Sequence, residues 1–119
     1  MIGKLDHFYL ETRHYDRARE FWADLGFSSE SEWGEDGHRA CQLRSGEAML
    51  VLAEAESQDS CEGPTVVFSV DDPEAVNTRL ADSPAVDVTT PLEDTHWGTR
   101  WIRVRDPDGN VFNLEARPS

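Results

Sequence analysis

The stretch T-H-W-G-T-R-W-I-R-V-R-D-P-D-G-N-V-F-N-L-E at residues 95–115 decides the fold of this chain. Its pattern is typical of an aromatic-rich strand, a tight D-P-D-G-N turn and a second strand. Pro107 fixes φ for the turn, while Gly109 or Asn110 can adopt the positive φ that joins two strands closely. We expect Asp106 to hydrogen-bond the backbone of this turn. The stretch is therefore predicted to form a β-hairpin.

Outward from this hairpin, the chain carries one pattern of elements twice. Polar and apolar residues alternate over residues 5–12 as in a half-buried strand, and a helical spacing follows, with Gly26 at its stop position. In the second copy Asp72 can cap a helix that starts at Pro73. The residues at helical spacing in the first copy are Tyr15, Ala18, Trp22 and Leu25. The predicted strands cover residues 5–12, 27–33, 38–44 and 48–53 in the first copy, and 65–70, 86–90, 99–105 and 111–115 in the second.

This repeated β-α-β-β-β order predicts an α+β fold of two tandem modules. With 119 residues, of which 38% are hydrophobic, the chain is long enough for one domain with a single core. Module one is expected over about residues 1–55, a polar linker over about 55–63, and module two over about 64–119. The modules would form two four-stranded sheets that together make an open, cupped surface, with the helices on its outer face.

Charge and composition exclude several classes of function. The formal net charge is −13, from 24 acidic and 11 basic residues, of which only Lys4 is lysine. Such a surface repels nucleic-acid phosphates and anionic membranes, so neither partner is expected, and its acidity resembles that of proteins from salt-loving organisms. No apolar run approaches the roughly 18 residues of a membrane span, so we expect a cytoplasmic protein. Cys41 and Cys61 form no C-x-x-C motif and are expected to be reduced thiols.

Motifs along nearly the whole chain resemble those of one known family. They are D-H-F-Y-L and A-R-E-F-W-A-D-L-G-F near the start, S-V-D-D-P-E-A-V in the middle, and W-G-T-R-W-I-R-V-R-D-P-D-G-N at the end. These motifs resemble the vicinal oxygen chelate superfamily, which includes glyoxalase I, the bleomycin resistance proteins and the extradiol dioxygenases. The resemblance implies paired βαβββ modules and a homodimer in which the neighbouring subunit completes each cup.

The resemblance also implies four positions that hold a metal in the metal-dependent members. The first falls on His7, which is a suitable ligand. The other three fall on Val51, Thr65 and Asn113, which are an aliphatic, a hydroxyl and a neutral amide side chain. Transition-metal sites need about three charged or imidazole donors, so no metal cofactor is predicted. A divalent metal stays open if the register of the fourth strand is shifted or if Glu115 substitutes for Asn113.

Strand alternation assigns side chains to the cup. Ile102 and Val104 are expected on the helix side of their strand, so Trp101 and Arg103 would face the cup. Aromatic walls with a few polar groups suit a planar ligand. Trp22, at helical spacing, is expected in the core instead. The ligand-binding residues expected from the alternation and from the edge of the cup are His7, Tyr9, Trp33, Trp97, Trp101, Arg103, Asn113 and Glu115.

For several of these residues, a purely structural role is the alternative to ligand binding. A lone histidine such as His7 is more often a hydrogen-bonded structural residue than a ligand. Trp97 and Trp101 could be core residues, and Arg103 could pair with a surface acid. If the protein is an enzyme, His7 or Glu115 is the candidate general base.

The first functional hypothesis is a homodimeric, metal-free protein of the bleomycin resistance type, which sequesters a planar or aromatic small molecule in its cup. The alternative is a metal-dependent lyase or dioxygenase of the glyoxalase I or extradiol dioxygenase type. A third hypothesis is a dimeric domain whose acidic surface binds a protein partner. The aromatic residues and the arginine do not specify which small molecule is bound.

Overall fold

The structure is a computed structural model that describes residues 5–56 and 66–118, and it contains the βαβββ order twice. The α+β fold of two tandem modules is therefore confirmed. The first copy comprises β1 (Phe8–Thr12), α1 (Tyr15–Asp24), β2 (Ser28–Trp33), β3 (Ala40–Ser45) and β4 (Ala48–Glu54). The second comprises β5 (Val66–Ser69), α2 (Pro73–Ala81), β6 (Asp87–Asp94), β7 (Arg100–Arg105) and β8 (Val111–Ala116).

The chain divides into two compact units, Met1–Ser60 and Cys61–Ser119, which are called module one and module two below. Their boundary falls within the predicted linker over 55–63, of which residues 57–63 lie outside the described residues. Each module contains one four-stranded sheet, with the order β1-β4-β3-β2 in sheet one and β5-β8-β7-β6 in sheet two. In both sheets the first pair in that order is parallel and the other two pairs are antiparallel. The duplication therefore extends to strand order and direction.

Two strand boundaries differ from the prediction by three residues or more, and the other differences are of one or two residues. The strand predicted over residues 5–12 begins at Phe8, because Phe8 opposite Leu50 is the first pair that joins β1 to β4. The strand predicted over 86–90 runs to Asp94. Its pairing with β7 shifts register twice, between Val88 and Thr90 and again before Glu93. Such bulges allow this edge strand to continue past Pro91, beyond its predicted end at residue 90.

The core of module one is built around Trp22 of α1, as predicted. Its ring centroid lies 5.1 Å from that of Phe21, 5.1 Å from that of Phe27 and 6.3 Å from that of Phe8, with the rings edge-on. The helix ends before Gly26, whose φ of 99° suits the stop position that was predicted for it. The buried residues of α1 are Tyr15, Ala18, Phe21 and Trp22, of which Phe21 was not part of the predicted spacing.

The core of module two follows the predicted alternation of the last hairpin. Ile102 and Val104 of β7 are buried, and so are Phe112 and Leu114 of β8. The helix α2 packs against β6 and β7 and contributes a single buried side chain, Leu80. Because successive side chains of a strand point to opposite faces, this packing directs the intervening residues of β7 and β8 to the face of sheet two away from α2.

The predicted helix cap and turn are both present. The Asp72 side chain accepts a hydrogen bond of 3.2 Å from the backbone N–H of Ala75 at the start of α2. In the D-P-D-G-N turn, Asp106 Oδ1 accepts hydrogen bonds from the backbone N–H of Asp108 at 3.1 Å and of Asn110 at 2.8 Å. Burial raises the pKa of Asp106 above its ordinary value. The Asp106 carboxylate therefore stabilises the turn, and no catalytic role is assigned to it.

Two further sequence-based expectations concern the environment of the protein. Neither helix in the described residues is long and apolar enough to cross a membrane. Cys41 is a free, buried thiol whose pKa is raised mainly by its burial, whereas Cys61 lies outside the described residues. A buried protonated thiol is consistent with the expected reduced state of Cys41.

Candidate functional site

Cross-strand pairing in sheet two places four of the predicted ligand-binding residues side by side. Trp101 of β7 lies opposite Glu115 of β8, and Arg103 lies opposite Asn113. All four belong to the face away from α2, as the alternation predicted. Val67 of β5, which is 52% exposed, lies next to Asn113 and extends this row. The face therefore combines apolar, aromatic and polar groups within three neighbouring strands.

Trp97 joins this group from the connection between β6 and β7. That connection is closed by Thr95, whose backbone N–H donates to the Thr99 carbonyl oxygen at 2.9 Å. The ring of Trp97 lies 5.1 Å from the ring of Trp101 with an interplanar angle of 87°, and Trp97 is 50% exposed. We call Trp97, Trp101, Arg103, Asn113 and Glu115 the tryptophan–arginine cluster.

Two carboxylates fix the orientation of the two indole rings. The Nε1–H of Trp101 donates to Glu93 Oε1 at 2.9 Å, and that of Trp97 donates to Glu115 Oε1 at 3.4 Å. Both indoles therefore hydrogen-bond through their polar edges, which holds their faces in place. Sequence reasoning missed Glu93, because it placed the end of the strand at residue 90. The run D-V-T-T-P-L-E-D has no regular alternation of polar and apolar residues, so the sequence carries no clear signal for this longer strand.

Arg103 lies at the centre of the cluster and contacts a neutral partner. Its Nε–H donates to Asn113 Oδ1 at 3.1 Å, and its guanidinium carbon lies 5.3 Å from the centroid of the Trp101 ring. Asn113 is only 9% exposed, whereas Arg103 is half-buried. Among residues 5–56 and 66–118, no carboxylate forms an ion pair with Arg103. The alternative that Arg103 pairs with a surface acid is therefore not found among these residues.

Other predicted site residues lie in module one. His7 precedes β1, where it had been predicted within the strand, and its Nδ1 lies 2.6 Å from Asp6 Oδ2 with 39% of the side chain exposed. Tyr9 lies within β1 opposite Val51 and is 58% exposed. Val51 in turn lies opposite Gln42 of β3. This face of sheet one thus carries a tyrosine and an amide where sheet two has Val67 and Arg103.

Trp33 is the last residue of β2 and is half-exposed. It borders a cavity of about 260 Å³ at the edge of sheet one. The guanidinium of Arg39 covers the ring of Tyr15 at 4.5 Å in this region. The residues that line the cavity are Tyr15, Arg19, Glu32, Trp33, Gly34, Arg39 and Ala40. Trp33 therefore has neighbours on α1 and β3 of its own module.

The donor set does not fit a metal centre at the positions that the resemblance implies. Val51 has no donor atom, and the Asn113 oxygen is occupied by Arg103, a fixed cation that would repel a divalent ion. His7 is bonded to Asp6, and Thr65 lies outside the described residues. Within the part of the chain that the structure describes, no three His, Cys, Asp or Glu side chains are grouped so as to hold a metal ion.

The duplicated βαβββ fold, with an aromatic and polar open face on its second sheet, defines the class of protein. The sequence profile of the Glyoxalase/Bleomycin resistance protein/Dioxygenase superfamily matches residues 4–114, so the chain belongs to this superfamily, as its motifs predicted. A search of functionally curated proteins finds no significant match.

Solved structures show the same fold at low sequence identity. The glyoxylase/bleomycin resistance protein/dioxygenase domain from Frankia sp. EAN1pec has a TM-score of 0.82 and 17% identity, over 100% of this chain and 95% of that one. The fosfomycin resistance protein FosX from Listeria monocytogenes has a TM-score of 0.82 and 17% identity, over 99% and 96%. TioX from Micromonospora sp. ML1 has a TM-score of 0.74 and 23% identity, over 94% and 98%.

Proposed function

We propose that this protein binds a small planar, aromatic molecule against the tryptophan–arginine cluster and holds it without chemical change. The observation that carries this proposal is the pair of edge-to-face indoles, Trp97 and Trp101, held by carboxylates on an open sheet face beside Arg103. Aromatic rings in a fixed orientation provide a large apolar contact area, and a few polar groups set the pose of the ligand.

The chemistry of the donors supports binding over metal-dependent catalysis. A FosX structure from Listeria monocytogenes, 15% identical with a TM-score of 0.78, contains Mn(II) and sulfate. In this chain, the positions implied for such an ion include Val51 and an Asn113 already bonded to Arg103. Divalent transition metals need charged or imidazole donors that these two residues lack.

Binding is tested by calorimetric titration of the purified protein with 2-naphthylmethanol, a neutral probe with a flat ring system. We expect saturable binding that Trp101→Ala weakens about tenfold, since burial of an aromatic ring against an indole face contributes on the order of 1.5 kcal/mol. Trp101→Phe, which keeps a ring at the same position, should retain most of the affinity. Equal affinities in the alanine and phenylalanine variants would contradict binding at this cluster.

Catalysis is tested in parallel on the same preparation. Protein purified without chelators should contain no stoichiometric transition metal by elemental analysis. Protein supplied with Mn(II), Zn(II), Ni(II) or Fe(II) should not turn over the methylglyoxal–glutathione adduct, a catechol or fosfomycin. Stoichiometric metal, or turnover that is lost in His7→Ala, would replace this proposal with the lyase or dioxygenase alternative.

We also propose that the functional form is a homodimer, as the family resemblance implies. Large side chains that are at least half exposed, or nearly so, support this proposal because a second copy could cover them. These side chains are Leu5, Tyr9, Trp33, Val67 and Trp97. Light scattering coupled to size exclusion should give twice the mass of the chain at micromolar concentration, and a monomer mass would overturn the proposal. The cytoplasmic location stays a prediction from composition.

A further inference from the structure

We propose that Arg103 selects ligands that carry a carboxylate, so that the ligands of the tryptophan–arginine cluster are aromatic carboxylates. This inference rests on the proposed function, because it names the chemical class that the same site accepts. It makes Arg103 the residue that determines specificity, with Trp101 as the ring contact and Asn113 as the group that positions the guanidinium.

The first argument is one of charge. The chain has 24 acidic residues and 11 basic ones, so an arginine has carboxylates available as partners. On the same strand, Arg105 pairs with Asp87 at 2.6 Å, and Arg100 pairs with Glu74 at 3.2 Å. Arg103 lies between them and has a neutral amide as its partner, with no ion pair among the described residues. A half-buried guanidinium with no ion-pair partner is costly, and a ligand carboxylate would supply that partner.

The second argument is one of geometry. The hydrogen bond from Nε–H to Asn113 Oδ1 fixes one edge of the guanidinium plane, and the Trp101 ring lies 5.3 Å from its central carbon. Neither Nη1 nor Nη2 has a hydrogen bond to another described residue. These two groups form the fork that binds a carboxylate through two parallel hydrogen bonds. Because the arginine is already oriented, little side-chain entropy would be lost when the ligand binds.

A cationic ligand is the main competitor, since Glu93 and Glu115 belong to the same region. Each of these carboxylates accepts an indole N–H through one oxygen, at 2.9 Å for Glu93 and 3.4 Å for Glu115, and is thereby held at the edge of an indole ring. An ammonium group would also lie close to the fixed positive charge of Arg103. A ligand group that contacts Arg103 is therefore favoured as a carboxylate over an ammonium, and an ammonium analogue is included in the test.

The test compares four probes by calorimetry at one ionic strength, with the wild-type chain and variants. The probes are 2-naphthoate, 2-naphthylmethanol, 2-naphthylmethylammonium and cyclohexanecarboxylate. We expect wild-type protein to bind 2-naphthoate about tenfold more tightly than 2-naphthylmethanol, which corresponds to one charge-assisted pair. Arg103→Gln should reduce this ratio to about one. Arg105→Gln removes the same charge from the same strand and should leave the ratio unchanged.

Asn113→Asp provides a second test if Arg103→Gln folds poorly. This near-isosteric change gives Arg103 the carboxylate partner that it lacks, so it should also abolish the preference for 2-naphthoate. The inference is overturned if the preference persists in both variants, or if 2-naphthylmethylammonium is the tightest probe. Binding of cyclohexanecarboxylate as tight as that of 2-naphthoate would contradict the aromatic site and leave the role of Arg103 standing. Failure of all four probes to bind would reject both.

Discussion

Sheet one and sheet two have the same strand order and pairing, but they carry different side chains, as one row shows. In sheet one the row across the first, fourth and third strands of the module is Tyr9, Val51 and Gln42. The equivalent row in sheet two is Val67, Asn113 and Arg103. The second module thus has an amide, Asn113, where the first has the aliphatic Val51, and a charged group, Arg103, where the first has the amide Gln42.

The arginines on either side of this row form similar ion pairs in both modules, so the two sheets differ mainly within the face between them. Arg44 and Arg105 occupy equivalent positions, and each pairs with a carboxylate, Glu30 at 2.8 Å and Asp87 at 2.6 Å. Arg39 and Arg100 are also equivalent to each other and lie on the opposite side of the row. Each pairs with the acidic residue at the second position of the helix in its own module. The duplication therefore repeats the supporting ion pairs, and the binding chemistry differs at a few positions between them.

The largest expected difference between the modules lies in their helices. The helix α1 buries four side chains, whereas α2 buries Leu80 alone. We expect Trp22→Ala to lower the free energy of unfolding by about 4 kcal/mol and Leu80→Ala by about 2.5 kcal/mol. Urea unfolding followed by circular dichroism measures both. Equal losses would show that the two helices contribute alike to stability, and a larger loss for Leu80→Ala would reverse the expected order.

A second difference concerns the Trp-Gly pair that each module carries near the turn between its second and third strands. Gly34 and Gly98 have φ of 90° and 92°, so alanine is strained at both positions. A Cβ at position 34 would also lie 2.1 Å from the His38 carbonyl oxygen, whereas one at position 98 would contact nothing within 4 Å. We expect Gly98→Ala to cost about 1 kcal/mol of stability and Gly34→Ala at least about 2 kcal/mol. Similar losses in urea unfolding would mean that the backbone at residue 34 relaxes freely.

Much of this comparison could be predicted from the alternation of the last hairpin. A strand has a period of two, so the apolar Ile102 and Val104 alone determined that Trp101 and Arg103 share the opposite face. The order of elements followed from the spacing of apolar residues and turn signals. Buried faces leave a strong pattern in sequence because the hydrophobic effect depends on composition more than on exact geometry.

The contacts within the site could not be predicted in the same way. The Arg103–Asn113 hydrogen bond depends on the register between β7 and β8, and the Trp101–Glu93 bond depends on two bulges that extend β6. Neither register nor bulges leave a clear mark on a single sequence. The position of His7 was missed for a related reason, since the start of β1 is determined by its pairing with β4.

Acid should affect the two modules differently, because Arg39 has a partner that Arg100 lacks. Glu54 accepts hydrogen bonds from Arg39 Nε at 3.0 Å and Nη2 at 2.9 Å, whereas the equivalent position beside Arg100 is Ala116. The Arg39 guanidinium lowers the pKa of Glu54 from 4.5 to about 2. Between those pH values the unfolded chain binds more protons at Glu54 than the folded chain does, so stability falls as the pH falls.

Glu54→Gln should therefore destabilise the protein most at neutral pH, and its deficit should shrink as the pH falls from about 4.5 toward about 2. Urea midpoints measured at pH 7, 5, 3.5 and 2.5 for both proteins give this profile. Glu74→Gln, which removes one of the two exposed partners of Arg100, is the matched control and should have a small effect. A deficit of Glu54→Gln that stays constant across this range would exclude the Arg39 pair as its cause.

The smallest expected effect compares the exposed tryptophans of the two modules as ligand contacts. Trp97 lies 5.1 Å from Trp101 and donates to Glu115 at 3.4 Å, whereas Trp33 borders a cavity with Tyr15 in module one. Trp97→Phe keeps an aromatic ring but loses the hydrogen bond that orients it, so affinity for 2-naphthoate should fall roughly threefold in calorimetry. Trp33→Phe should change that affinity by less than about twofold, because its neighbours form no second indole pair. The opposite order would place the main aromatic contact in module one, and the binding face would then have to be assigned to sheet one.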